Sequence, residues 1–231
     1  MRIWIALVGL VATTAAQAQP APAALVEDVT GTEAGVEFMD YVPTGKIIRL
    51  GIADSLVLSY LKSCVRETIA GGTVTVGAER SQVAGGAVQR DTVKCDKGAM
   101  NLAANQAQKS GVMVMRAPPR PSESGAAGAN QLPTPELTLY GLSPVVDLRG
   151  GGTLLIERLD KPGERHEVQI PPAQMLRGAY VDFAKAGKAL TAGGLYRAAA
   201  ASQVIVFKVD PFAQGGQAPI VGRLLRFPRP S

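Results

Sequence analysis

Histidine is almost missing from this chain: there is one, His166, in 231 residues. Cysteine is nearly as scarce, with Cys64 and Cys95 the only two. A zinc site built from these types needs three or four ligands at tight spacings such as C-x2-C or H-x3-H. Cys64, Cys95 and His166 offer no such spacing, and no D-x-D-x-D-G run supplies a calcium loop. The sequence therefore implies no metal and no cofactor. A cysteine or serine nucleophile would have to share His166 as its only histidine base, across two halves of the chain. No G-x-S-x-G elbow is present.

Aromatics are also few, at 5% of residues, and the single Trp is Trp4 near the N-terminus. Glycan-binding surfaces usually display aromatic platforms, and no aromatic stripe appears. Tyr41, Tyr140 and Tyr180 are the candidates, although such tyrosines more often belong to cores or turns. The carboxylates Glu157 and Asp160, or Glu27 and Asp28, would suit acid–base work on glycans only if a cleft set two of them face to face. The glycine run "RGGGT", Arg149 to Thr153, lacks the Gly-Lys-Ser/Thr ending of a phosphate loop and reads as a hairpin turn. "AGG" at Ala70 to Gly72 and at Ala84 to Gly86 read as turns in the same way.

What is present begins at the N-terminus. Arg2 precedes an apolar run, Ile3 to Ala12, too short to span a bilayer. Ala16-Gln17-Ala18 follows as an A-x-A cleavage site. The expectation is a signal peptide over residues 1–18, cut after Ala18, with an uncleaved anchor as the alternative, and a periplasmic or secreted protein with no transmembrane segment after signal removal. The formal net charge of +5 is mild and spread along the chain. It suits anionic envelope polymers better than nucleic acid, for which no basic run interleaved with aromatics exists.

Residues 116–136, "RAPPRPSESGAAGANQLPTPE", are rich in Pro, Gly, Ser and Ala and read as a linker between two domains. Before it, residues 25–115 carry short β-type runs: "GVEFMDYV", "KIIRLG", "SLVLSYL", "GTVTVG" and "GAVQRDTVKC". "SLVLSYL" alternates Leu56, Leu58 and Tyr60 against Val57, Ser59 and Leu61. One helix is expected over Ala99 to Ser110, followed by a strand in "GVMVMR". After the linker, residues 137–231 hold about seven short strands in the immunoglobulin-like range, interrupted by helical turns over Gln174 to Leu190. In "LTAGGLY", Leu190 closes one strand, Gly193 lies in the turn and Tyr196 opens the next. That spacing suits a tyrosine corner, with the hydroxyl bonded back to the backbone; a Gly-Gly turn beside an ordinary core tyrosine would look the same.

"GVEFMDYVPTGKIIRLGIADSLVLSYLKSC" with "ETIAGGTVTVG" resembles the periplasmic β domain of FecR-like proteins. The second half resembles the Ig-like module that often follows such domains in bacterial envelope proteins, where "L-x-P-G-x-x-Y" precedes a strand ending in "F-x-V". Here those positions are Leu190, Gly193, Tyr196, Phe207 and Val209, with Ala192 in place of the proline. The resemblance implies an all-β fold of two small domains, a roll or sandwich and then an Ig-like sandwich. It transfers no catalytic residues. The signalling role of the best-known members does not carry over, because no second membrane segment or cytoplasmic part follows.

Two cysteines, an even count, lie 31 residues apart in a chain expected to be exported. In an oxidising compartment this reads as a Cys64–Cys95 disulfide, worth about 3.5–4 kcal/mol in the chain-entropy model. The functional expectation is a non-enzymatic envelope protein that binds or scaffolds a periplasmic protein or a cell-envelope polymer. The alternatives are a sensory input domain acting on a separate membrane protein and, lowest, a glycan-directed enzyme.

Overall fold

The computed structural model describes residues 21–31, 33–97, 132–148, 152–170, 179–200, 203–216 and 219–227. The expected signal peptide, the helix over 99–110, the strand after it, residues 116–131 of the linker and residues 174–178 lie outside the described residues. The fold is all-β.

The first half is one rolled antiparallel sheet. Its strands are β1 (Pro22–Thr30), β2 (Tyr41–Pro43), β3 (Ile47–Tyr60), β4 (Val65–Thr75), β5 (Gln82–Ala84) and β6 (Ala87–Thr92). The order is β2-β1-β3-β4, with β5 and β6 both pairing the free side of β4. β3 has 14 residues and would span about 46 Å if straight. It is not straight. Its register against β4 slips between Leu50 and Ser55, opposite Gly71 and Gly72, which take φ of 63° and 83°. A Cβ on Gly72 would stand 2.5 Å from the Ala84 carbonyl oxygen, so the corner needs glycine for both conformation and space. The bend lets the two ends of the β3–β4 hairpin meet. Tyr60 and Ser81 share a hydroxyl hydrogen bond of 2.7 Å, and Ser63 Oγ donates to Glu79 O at 2.6 Å. Ile48, Leu50, Leu56, Leu58, Tyr60, Ile69 and Val74 then line one core.

Several local expectations are corrected here. "KIIRLG" and "SLVLSYL" are two halves of a single bent strand. "AGG" at Ala70 to Gly72 is a kink inside β4 rather than a hairpin turn. "GVEFMDYV" contributes only its last two residues to a strand, because Gly35 and Met39 take φ of 63° and 68° and turn the chain. Pro22–Thr30, whose first three residues precede the expected start of the domain at residue 25, is an interior strand between β2 and β3. Its proline sits at the first position, where no ladder bond is lost.

The second half is a β-sandwich. Its strands are β7 (Leu137–Gly141), β8 (Val145–Leu148), β9 (Gly152–Arg158), β10 (Arg165–Ile170), β11 (Ala179–Asp182), β12 (Leu195–Ala200), β13 (Gln203–Gln214) and β14 (Leu224–Arg226). One sheet runs β10-β9-β12-β13-β7, with β7 parallel to β13; the other runs β11-β8-β14, with β14 parallel to β8. Both sheets contribute to one core: Leu154, Ile156, Tyr196, Phe207 and Val209 from the first, Val146, Leu148 and Leu225 from the second, with Phe183 between. Two corrections follow. Residues 179–182 are a strand, so the helical expectation over Gln174 to Leu190 fails there. β8 and β9 belong to different sheets and do not pair as a hairpin; residues 149–151 of "RGGGT" lie outside the described residues.

A third apolar cluster joins the halves. Leu25 and Leu61 of the rolled sheet meet Val145, Ile220, Val221 and Leu224 of the sandwich, with Cys64 and Cys95 among them. This explains why Leu56 to Leu61 are all buried. Leu56, Leu58 and Tyr60 face the roll's own core, and Leu61 faces the seam. The alternation read from the sequence is real, but both faces are covered.

Candidate functional site

Three places concentrate polar chemistry: the seam, the tyrosine turn and the outer edge of the rolled sheet. At the seam, Val221 N–H in the 3-10 turn Ile220–Gly222 donates to Glu27 Oε1 at 2.9 Å, while Arg66 Nε reaches Glu27 Oε2 at 3.0 Å. Tyr41 OH donates to Asp147 Oδ2 at 3.0 Å, and the Arg226 guanidinium lies 4.2 Å from the centre of the Tyr41 ring. Tyr180 packs edge-on against Phe38, ring centres 5.2 Å apart. Tyr41 and Tyr180 are therefore engaged at the seam rather than laid out as a glycan platform. Tyr140 is half-buried beside Asp96 and Asp210; burial first, then the two carboxylates, push its hydroxyl pKa up. Cys64 and Cys95 form a disulfide with Cα atoms 5.8 Å apart, within the span such bridges need.

The tyrosine turn is a dense network. Tyr196 is fully buried, and its hydroxyl accepts from Thr191 N–H at 2.9 Å and donates to Glu164 Oε2 at 2.8 Å. Burial, then the neighbouring Glu164, push that hydroxyl up to about 12. Leu190 is buried at the start of the turn, and Gly193 takes φ of 73° within it. Glu164 gathers Tyr196, Thr191 N–H and Arg158. Burial raises its pKa, but the hydrogen bonds from Tyr196 and Thr191, with His166, outweigh it and hold it below the usual range. His166 Nε2 is buried 3.6 Å from Glu164 Oε1, and the ring meets Phe183 edge-on. His166 is thus on the sandwich, far in topology from the cysteines it might have served.

The carboxylates read as possible acid–base pairs are each committed elsewhere. Glu157 pairs with Arg197 at 2.8 Å. Asp160 holds Arg158 through two bonds and accepts Leu195 N–H. Glu27 is at the seam, and Asp28 accepts the N–H of Val29. Among the described residues, no group of three His, Cys, Asp or Glu side chains is placed to hold a metal ion.

Asp160 gives a pH prediction. Its hydrogen bonds from Arg158, against the opposing effect of burial, hold it at about 2. A carboxylate depressed in the folded state adds stability above its unfolded value near 4 and loses it as pH falls toward about 2, a loss of about 2 kcal/mol. Urea midpoints of the protein are expected to drop between pH 5 and pH 2. Asp160→Asn should be less stable than the parent at pH 7 and converge on it near pH 2.

Sequence reasoning missed the buried charges. Glu67, fully buried, accepts Arg90 Nε at 2.7 Å and Ser81 N–H at 3.1 Å. Arg223 and Asp182 form a second buried pair at 2.7 Å. A charged residue inside a β-type run is the only local signal for either, and it does not name the partner.

The third place is β6. It pairs with β4 along its whole length, from Val65↔Thr92 to Ala70↔Ala87. Among the described residues no strand pairs its other side, and its pattern is almost wholly exposed. The chain is thus a rolled sheet docked on a β-sandwich, with an open strand edge and a disulfide at the joint. No family model, curated protein or solved structure matches it.

Proposed function

We propose that this is a non-enzymatic, exported module of the bacterial envelope that binds a periplasmic protein by adding one of that protein's strands to β6. The observation that carries the reading is the six-residue outer edge of β6, whose other side is paired along its whole length with β4. Extended peptides bind such edges through main-chain hydrogen bonds. Charged Arg90 and Asp91 along the edge discourage indiscriminate pairing. A roll followed by a sandwich supports the FecR-like and Ig-like resemblance, and the disulfide supports an oxidising compartment. No helix among the described residues is long and apolar enough to cross a membrane.

The test is in-cell photo-crosslinking from position 89 on β6, with position 208 on the exposed face of the sandwich as control. One envelope protein captured from position 89 and not from 208 is expected, and a synthetic peptide from its contact segment should compete. Equal capture from both positions would reject the edge. Retention on peptidoglycan that is insensitive to edge substitutions would move the partner from protein to polymer.

A further inference from the structure

We infer that the Cys64–Cys95 disulfide is a redox latch that holds the β6 edge and the seam together, so that reduction by a dithiol loosens both. This rests on the edge reading for its purpose, but not for its mechanics. The bridge is not inside either core. Cys64 immediately precedes Val65, and Cys95 comes three residues after Thr92, so it closes the end of the β4–β6 ladder at the pair Val65↔Thr92. Val93 N–H extends that ladder by donating to Cys64 O at 2.9 Å. Both sulfurs lie in the cluster shared by the rolled sheet and the sandwich.

The residues flanking Cys95 add their own contacts with the sandwich to those of Glu27, Phe38 and Tyr41. Thr138 N–H at the start of β7 donates to Asp96 Oδ2 at 2.7 Å. Gly222 packs so closely that a Cβ there would stand 2.5 Å from the Lys94 carbonyl oxygen. Residues 93 to 96 are therefore one strap: they end the edge strand, carry the bridge and seat the sandwich. Cys64 itself holds φ of 58°, one of two non-glycine residues on the left-handed side among those described. A residue with a Cβ pays for that conformation only where its surroundings enforce it. Freed from the bridge, Cys64 has a reason to relax, and relaxation moves the carbonyl that Val93 uses.

The chemistry needs a dithiol. One of its thiolates attacks a bridge sulfur, giving a mixed disulfide and releasing one cysteine. Its second thiolate then displaces the other cysteine, leaving Cys64 and Cys95 as thiols and the reagent as a disulfide, two electrons transferred. Burial of both cysteines, 2% and 9% exposed, makes attack depend on opening of the seam.

Amide hydrogen exchange of the full chain, with and without dithiothreitol, tests this without any partner. Reduction is expected to speed exchange about tenfold or more at the amides that face β4, Gln89, Asp91 and Val93, and at Thr138 and Gly222, and to leave Leu56 to Leu58 protected. Cys64→Ala/Cys95→Ala should reproduce the pattern without reductant. Unchanged exchange at β6 and Thr138 after confirmed reduction overturns the latch. So does uniform loss of protection, which would make the bridge a general staple. Crosslinking from position 89 in both redox states separates the two readings: altered exchange with no capture in either state retains the latch and rejects the edge as a binding site.

Discussion

Arg223→Ala is expected to destabilise the protein by about 3–5 kcal/mol, because it strands a buried carboxylate. Arg223 is 2% exposed. Its Nη1 donates to Asp182 Oδ1 at 2.7 Å and to Ser143 O at 2.9 Å, and its Nη2 reaches Asp182 Oδ2 at 3.3 Å. Burial pushes the Asp182 carboxyl up, but Arg223 outweighs it and the group sits below its ordinary range. Without the guanidinium, burial is opposed only by the Ala184 N–H and by Lys185, so the carboxylate must either stay charged without its main partner or take up a proton. Lysine keeps the charge but not the planar fork, and Arg223→Lys should fall between parent and alanine. Arg223→Met combined with Asp182→Leu should cost less than Arg223→Ala alone, since it removes the uncompensated charge. The pair also sits next to the 3-10 turn that supplies Val221 N–H to Glu27, so the loss should reach the seam. Urea unfolding at pH 7 gives the magnitude. Repeated near pH 4, the gap between Arg223→Ala and parent should narrow, as the stranded Asp182 is neutralised. A loss under 1 kcal/mol at pH 7 would mean that water or another cation replaces the guanidinium.

The features legible in the sequence are those whose cause is local. The corner around Tyr196 depends on a turn five residues long, so "LTAGGLY" displays it. Its second partner, Glu164, is 32 residues away, and no spacing rule points there. The cysteine pair follows from count and compartment, but its place at the seam does not, since that depends on what the sandwich packs against. Strand type followed from β-branched content, while strand continuity did not. β3 looked like two strands because Gly51 to Asp54 break the apolar pattern, and in the fold those residues form the bend that closes the roll. β1 was obscured by Pro22 and the alanines after it, which resemble a tail in isolation and become interior once β2 and β3 flank them. The seam was the least legible element. Leu25 and Val221 carry no mark that distinguishes a residue facing a second body from one facing its own core.

Arg90→Ala is expected to cost about 3 kcal/mol, near the lower end of what breaking a buried ion pair costs. The lower end applies because the Arg90 side chain is 38% exposed while Glu67 is fully buried, so water reaches the arginine's side of the pair. The contact does two jobs. Arg90 Nε donates to Glu67 Oε1, and its Nη2 donates to Ser81 O at 2.9 Å. Ser81 also gives its N–H to Glu67 and shares a hydrogen bond with Tyr60. The arginine therefore ties β6 to the residues that close the roll. Glu67→Gln should also destabilise: its oxygen at the Oε1 position can still accept from Arg90 Nε and Ser81 N–H, but the charge that pairs Arg90 is lost and an NH2 group replaces the oxygen that faces Ser81 N–H. Arg90→Leu with Glu67→Leu should recover much of the loss, because two apolar side chains leave no buried charge. Recovery in the double variant with persistent fast exchange along β6 would show that the pair orders the edge beyond its share of global stability. If Arg90→Ala lies within 1 kcal/mol of parent and β6 stays protected, the six ladder pairs with β4 hold the edge by themselves, and the charge pair is incidental to it.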